Sequence, residues 1–569
     1  MTILSRSSAI RGVPDAVAQV RAYHQRTKHM PERYAPGPGD MDWANQPDPF
    51  RRFTGARPIA LPLVHDDGTP PYDALFHSGR ISPRPLTAES LGLFLELSLG
   101  LTAWKAFQGT RWALRSNPSS GNLHPTEGYV VLPALAALSD RPGVYHYAPR
   151  EHALEQRSVL GEAAWSTLAA GLSADAFLVG LTSVHWREAW KYGERAYRYC
   201  QHDAGHALGA LCFAAASLGW RVELLSAPSD ADVAGLLGLD RAADFAAVEA
   251  EHPDLIAAVV TDPAAAAPRR LAEGAVAAVR AGHWTGTANR LSSSRVDWPA
   301  IAAVEAATLK PPTAPLPPRG FAATTTPAPR STRDVPRAAV IIRQRRSAVA
   351  MDGRTGLSID VFFGMLARTL PDRPHPPWTA ADFPARINLC LFVHRIDGLS
   401  PGLYVLMRDE ARIDAFRAAC HDGFAWGYVE SSGIPLYALA LGDCRQAAAH
   451  ASCFQAIAGD SAFSLGMVAD FARTLEEDGA WAYRRLFWET GLIGQVLYLE
   501  AEAAGVRSTG MGCYFDDFVH RLLGIDLGDD AWQSLYHFTV GGAVEDERLT
   551  TLPAYDQLPP ERIKPSRSL

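Results

Sequence analysis

A chain of 569 residues is too long for one ordinary domain, and two to four are expected. Its apolar fraction of 47% and charged fraction of 20% are those of an ordinary globular protein, and a formal charge of −7 gives no electrostatic reason to expect a nucleic-acid partner. The seven cysteines are odd in number, scattered and free of any CxxC, which argues against a disulfide framework or a structural zinc site and favours a reduced, cytoplasmic setting.

The first residues, MTILSRSSAIRGVPDAVAQV, lack the continuous apolar stretch of a signal peptide. No apolar run reaches membrane-spanning length, so no membrane partner is expected. Residues 1–65 are rich in Pro, Arg and aromatics and are predicted to be an irregular extension lying against a core. A first domain is expected over 66–285 and a second over 337–569. Between them, 286–336 reads as a Pro-rich linker. Its segment 310–336 carries eight prolines, which no continuous helix or central strand tolerates.

The two halves echo each other. At an offset of 286 with no gap, Tyr197 falls on Tyr483, Gly205 on Gly491, Gly219 on Gly505, and Leu236, Gly238 and Asp240 on Leu522, Gly524 and Asp526. A constant register over more than forty residues points to duplication. In each copy a long apolar helix (Asp203–Leu218; Glu489–Ala504) is expected to end at a glycine. Pro142-Gly-Val-Tyr145 and Pro401-Gly-Leu-Tyr404 each open a predicted strand. In the second copy, helices are expected over Ile359–Leu370, Ser461–Glu476 and Glu489–Ala504, and strands over Ile387–Val393, Gly402–Met407 and Leu535–Val540. Elements mixed in this way, without regular βαβ alternation, indicate an α+β fold.

Four segments carry candidate chemistry. Arg115-Ser-Asn-Pro-Ser-Ser-Gly-Asn-Leu-His-Pro125 places small hydroxyls, Gly and Asn just before a strand, where backbone N–H groups can approach a flat polar ring. Read alone, it is equally a Ser/Asn/Gly turn. Arg343-Gln-Arg-Arg-Ser347 is a basic cluster with a hydroxyl, suited to a phosphate or simply to solvent. Trp190-Lys-Tyr-Gly-Glu-Arg-Ala-Tyr-Arg-Tyr199 holds a Lys–Tyr pair able to manage a proton, or to sit on the surface at a helix start. Thr509-Gly-Met-Gly-Cys513 could bring backbone to a ligand or turn between helices, and its Cys513 is expected to be buried and inert.

Other readings are weaker. Gly398-Leu-Ser-Pro-Gly402 fits G-x-S-x-G, but Pro401 has no N–H for an oxyanion hole. His202 and His206 stand at i and i+4 without a marked third ligand, so no metal is expected. No G-x-G-x-x-G lies between a strand and a helix.

The Arg115–Pro125 segment resembles the P-S-x-x-N-x-x-P stretch of the nitroreductase superfamily, and is most similar to its SagB/McbC-type azoline dehydrogenases. The Lys–Tyr segment resembles their K-Y-x-x-R-x-[YR]-R. The resemblance implies two tandem nitroreductase-like domains forming an intramolecular pseudo-dimer, with FMN as cofactor. It implies that Arg115, Pro118, Ser119, Ser120 and Asn122 border the ring. It gives Arg345 and Ser347 to the phosphate, although Val349 departs from the R-x-S-x-[RK] pattern. Gly510 and Gly512 would approach the flavin, and Arg548 would supply a late phosphate contact. Lys191 and Tyr192 would be catalytic. The copies are complementary: the ring loop and Lys–Tyr pair lie in the first, the phosphate motif and the TGMGC loop in the second. One FMN per chain is therefore expected. The implied activity is hydride transfer between flavin N5 and a substrate, small molecule or peptide of azoline type, with NAD(P)H or O₂ as a further redox partner. Alternatives are an NAD(P)H-dependent nitro- or quinone-type reductase and a pseudoenzyme that binds flavin or peptide. A monomeric pseudo-dimer or a higher homo-oligomer is expected.

Overall fold

A computed structural model describes residues 15–64, 67–77, 79–173, 176–262, 264–265, 270–317, 320–321 and 335–564. Two antiparallel sheets share one strand order. In the first, Arg221–Leu224, His252–Val260, Ala176–Ser183, Thr126–Leu132, Gly143–Ala148 and Ala153–Val159 lie side by side. In the second, Arg507–Met511, Trp532–Gly541, Phe463–Asp470, Ile387–Val393, Gly402–Leu406 and Leu436–Leu441 follow the same order. Helices pack between and around these sheets, so the α+β class and the duplication are both present.

The repeat is closer than the sequence matches suggest. The helices His185–Tyr192, Ala196–Ser217 and Asp230–Leu237 correspond end for end to Phe471–Asp478, Ala482–Ala503 and Asp516–Leu523, each pair 286 residues apart. The two long helices begin seven residues earlier than expected: 196 against 203, and 482 against 489. Their Arg- and Tyr-rich first turns are buried rather than looped, because one arginine in each finds a buried acid in the other copy. Arg198 pairs with Asp516 at 2.7 Å, and Arg484 with Asp230 at 2.8 Å. These are the same contact made twice, since 198 and 484, like 230 and 516, are 286 apart. Arg195 also reaches Asp516, at 2.9 Å. Desolvated pairs of this kind require good geometry on both sides and so fix how the copies sit.

Between them, the long helices pack over their whole length, with Leu208, Leu211, Leu492 and Val496 fully buried. Burial of each such side chain contributes roughly 1.5–3 kcal/mol. The copies also exchange segments. Helix Ala338–Gln344 packs on the first copy, where Ala338 N donates to Pro70 O at 2.9 Å. Strand Thr550–Leu552 joins the hairpin Leu101–Phe107 and Thr110–Arg115.

Four local expectations are corrected. Ser461–Glu476 is not one helix: Phe463–Asp470 is a strand and Phe471–Asp478 a helix. The strand is buried on both faces, so it lacks the alternation that distinguishes strand from helix. The extension before residue 66 contains a helix, Ala16–Arg26, whose buried His24 meets Tyr483 and Gln533 of the second copy, each at 3.2 Å. Helix Pro299–Ala307 lies within the predicted linker, opened by Pro at its first turn and anchored by buried Ile301 and Val304. The Lys–Tyr pair ends a helix rather than starting one. Residues 318–319 and 322–334 of the linker lie outside the described residues. Among the described residues, no helix is long and apolar enough to cross a membrane.

Candidate functional site

The loop after Arg115 reverses the chain between two strands. Gly121, Asn122 and His124 take positive φ values of 60°, 60° and 51°. Gly121 is required: a Cβ there would lie 2.5 Å from the Tyr192 hydroxyl. Local hydrogen bonds hold the shape. His124 N donates to Ser119 Oγ at 2.8 Å, and Asn122 Nδ2 donates to Ala113 O at 2.9 Å. Ser120 donates through N (3.1 Å) and Oγ (3.2 Å) to Asp203 on the first long helix. The Asn122 amide is thus engaged within its own loop.

This loop forms one wall of a cavity of about 560 Å³ that is lined by both copies. Ten of the twelve candidate site residues line it: Arg115, Pro118, Ser119, Ser120, Asn122 and Tyr192 from the first copy, and Arg345, Ser347, Gly510 and Gly512 from the second. The other two lie off the wall. Lys191 Nζ stands 5.3 Å from the centroid of the Tyr192 ring, behind it. Arg548, expected at the phosphate, has a side chain 74% exposed and pairs with Asp546 at 2.7 Å. A carboxylate two residues away holds it at the rim.

One end of the cavity is cationic. Arg345 follows helix Ala338–Gln344, is buried, and donates to Arg115 O at 2.9 Å. Arg346 and Arg507 stand beside it on the wall. Burial, then repulsion from Arg345 and Arg507, pulls Arg346 down to about 10; burial lowers Arg345 as well. Burial is the main cause of both depressions, and Glu502 pairs with Arg507 at the same end. Glu545 and Asp546 also reach the wall, but Asp546 is taken by Arg548. Ser347 Oγ lies 2.9 Å from Tyr498 OH, which accepts from Gly510 N at 2.9 Å. The TGMGC segment is not a turn between helices; its first residues close the edge strand Arg507–Met511.

The other end is aromatic and acidic. Tyr192 and Tyr199 meet edge to face at 4.6 Å, and Tyr199 OH donates to Gly512 O at 2.9 Å. Burial pushes the Asp203 carboxyl up to about 7. Glu188, buried behind it, is held well above the usual carboxylate range by burial and by the Asp203 charge. Tyr199, Asp203 and His206 also line the cavity, although the sequence marked none of them for this site and weighed His206 only as a metal ligand. Their spacing, i, i+4 and i+7, is the one signal that places polar groups along a single helix face. Tyr498 and Tyr536 were missed as well. Cys513 is half-buried on the wall with Cys453 beside it, not buried alone as expected.

The symmetry-related position is closed. Residues 286 beyond Tyr192, Tyr199 and Asp203 are Asp478, Arg485 and Glu489, and the space they border is about 10 Å³. The Tyr192–Tyr199 contact becomes an Asp478–Arg485 ion pair at 2.7 Å. Glu489 is engaged by Arg408 and by Arg386 N. Arg408 in turn packs 4.8 Å over the Trp378 ring.

Other ligand-like groups are accounted for. His202 Nδ1 faces Thr490 Oγ1 at 2.9 Å, and His206 Nε2 faces Tyr536 OH at 3.2 Å, so the pair is separately engaged. His185, His252 and Glu305 cluster elsewhere. The two rings stack at 4.3 Å and 4°, so their in-plane lone pairs lie in parallel planes and do not converge on one ion.

The family model for the nitroreductase family matches residues 82–248 and 402–542, one stretch in each copy. A crystal structure from Anabaena variabilis, described as that of a nitroreductase, superposes with a TM-score of 0.67 at 22% identity, covering 92% of this chain and 99% of its own. A protein of Methanocaldococcus jannaschii, likewise named as a nitroreductase, is 28% identical over 139 residues, 24% of this chain and 66% of its own length. The E. coli microcin synthetase complex aligns at 16% identity and a TM-score of 0.25, too low to carry an argument.

Proposed function

The chain belongs to the nitroreductase family, and on that premise we propose that it is an FMN-dependent oxidoreductase with one flavin site per chain, most like the azoline-type dehydrogenases. The observation that carries this reading is the pairing of one open composite cavity with one closed counterpart, about 560 against about 10 Å³. The open cavity suits a flavin mononucleotide. Its cationic end, with Arg345, Arg346, Arg507 and Ser347, would hold a phosphate dianion. Asn117 Oδ1, His124 Nδ1 and Arg345 Nε are buried on its wall without a protein partner, and such groups call for a ligand or water.

Bound there, the flavin would supply a two-electron acceptor or donor. The protein's own task is to position substrate, exclude water and handle the accompanying proton. Tyr192 faces the cavity beside the Arg115–Pro125 loop, and Lys191 lies against its ring. Asp203, held up to about 7 by burial, exchanges a proton near neutrality and so makes a reservoir next to that hydroxyl. In this reading Tyr192 acts on substrate, while Lys191 tunes and positions it. A small-molecule or peptide substrate of azoline type and an acceptor such as O₂ or NAD(P)⁺ complete the proposal.

The test is flavin stoichiometry in the purified chain, by absorbance and mass spectrometry. One FMN per chain is expected. A ratio near two, or the absence of any flavin after reconstitution, would overturn it.

A further inference from the structure

The second copy brings two cysteines together at the cavity. Cys453 and Cys513 lie sixty residues apart in sequence, with their sulfurs at 2.9 Å. Both are half-buried, unlike Cys200, Cys212, Cys390 and Cys420, which are buried. Cys513 forms part of the cavity wall, within reach of a small solute. Cys453 is aimed at it by a turn with two successive non-glycine residues at positive φ, 54° at Cys453 and 60° at Phe454. That backbone is strained for residues with a side chain and persists only where its surroundings hold it. Here Gln455 Nε2 holds it, donating to Ser452 O at 2.8 Å and to Cys513 O at 3.0 Å.

The electrostatics distinguish the two sulfurs. The hydrogen bond shared with Cys453, then the charge of Arg195, holds the Cys513 thiol below its ordinary value, while Cys453 is pushed up. Cys513, which lines the cavity, is the sulfur that a solute meets first, and Cys453 off the wall is the resolving group.

We propose that Cys453 and Cys513 form a reversible disulfide on the cavity wall, made and broken by exchange with a small-molecule disulfide. The Cys513 thiolate attacks one sulfur of the reagent, breaking its S–S bond and releasing one thiol. Cys453 gives up its proton and attacks Cys513 Sγ, releasing the second thiol. The protein loses two protons and two electrons, and the reagent gains both as it becomes two thiols. The new bond ties the Ser452–Gln455 turn to the end of the strand that presents Gly510 and Gly512. This inference stands independently of what the cavity binds.

The full chain is equilibrated in glutathione buffers of increasing oxidised fraction, quenched in acid, unfolded, alkylated and mapped by peptide mass spectrometry. Cys453 and Cys513 should lose alkylation together at one midpoint, yielding a cross-linked peptide pair two hydrogens lighter. The four buried cysteines should stay alkylated throughout. In Cys453→Ser, Cys513 should accumulate as a stable glutathione adduct. The proposal is overturned if both thiols remain alkylatable at every ratio, or if either pairs with a different cysteine. The wild-type titration decides the matter even if the variant folds poorly.

Discussion

Gly205 and Gly491, equivalent residues of the two copies, face each other where the long helices cross. A Cβ on Gly491 would lie 2.6 Å from His206 N and 2.7 Å from the carbonyl carbon of Gly205, and one on Gly205 would lie 2.7 Å from Trp488 Cα. All three neighbours are backbone and cannot step aside as a side chain can. Either glycine replaced by alanine should therefore push the helices apart, at a cost of about 1–3 kcal/mol. Lower denaturation midpoints for both Gly205→Ala and Gly491→Ala are expected. Unchanged midpoints would mean that the crossing is looser than described.

The buried acids at the interface should be more costly to remove. Asp516 answers two arginines, Arg195 and Arg198, whereas Asp230 answers Arg484. Asp516→Ala should cost about 3–5 kcal/mol by leaving buried charge uncompensated. Asp230→Ala should cost less, since it strands one guanidinium instead of two. Chemical denaturation of both variants tests the order.

At the cationic end, Arg345→Ala should weaken flavin binding roughly 10- to 100-fold, the loss of about 1.5–3 kcal/mol for a charge-assisted contact. Arg548→Ala should leave binding nearly unchanged, because Asp546 and solvent already satisfy that side chain. Fluorescence titration of the stripped protein with FMN compares the two. Equal losses would restore Arg548 to the phosphate.

Tyr192→Phe and Lys191→Ala should retain flavin yet lower turnover, by roughly 10²-fold or more for the tyrosine if its hydroxyl moves the proton. Flavin content and kcat measured on the same preparations separate binding from catalysis. Wild-type turnover in Tyr192→Phe would remove the hydroxyl from the mechanism.

The sign of one pH effect follows from Asp203. Its carboxyl sits at about 7 in the folded chain, above the roughly 3.9 of an unfolded aspartate. Below both values the two states are protonated alike, and the group has no effect. Between them the unfolded chain ionises first, so stability falls as pH rises from about 4 to 7. Asp203→Asn should flatten that slope in the flavin-free protein. An identical slope in the variant would show that Asp203 ionises normally.

How much of this was legible beforehand differs by feature. The repeat was, because glycines at a close crossing leave their own spacing in the sequence. Ten residues that line the cavity were named beforehand, through motifs that resemble those of the nitroreductase superfamily. The strand Phe463–Asp470 was not, since burial on both faces erases alternation. Nor were Asp203, Tyr498 and Tyr536, which look like interior residues until the two copies are set face to face. Arg548 misled although Asp546 stands two residues before it, because the sequence does not show which of its neighbours an arginine will engage.

The closed counterpart has a consequence for heredity. In a dimer of identical chains, one codon alters two sites at once, and a change that helps one task is imposed on the other. Here Asp203 and Glu489 are encoded separately. The first can change with the cavity that it lines, and the second with the interior that its link to Arg408 holds. Carrying both copies in one chain makes independent traits of two positions that exact two-fold symmetry would tie together.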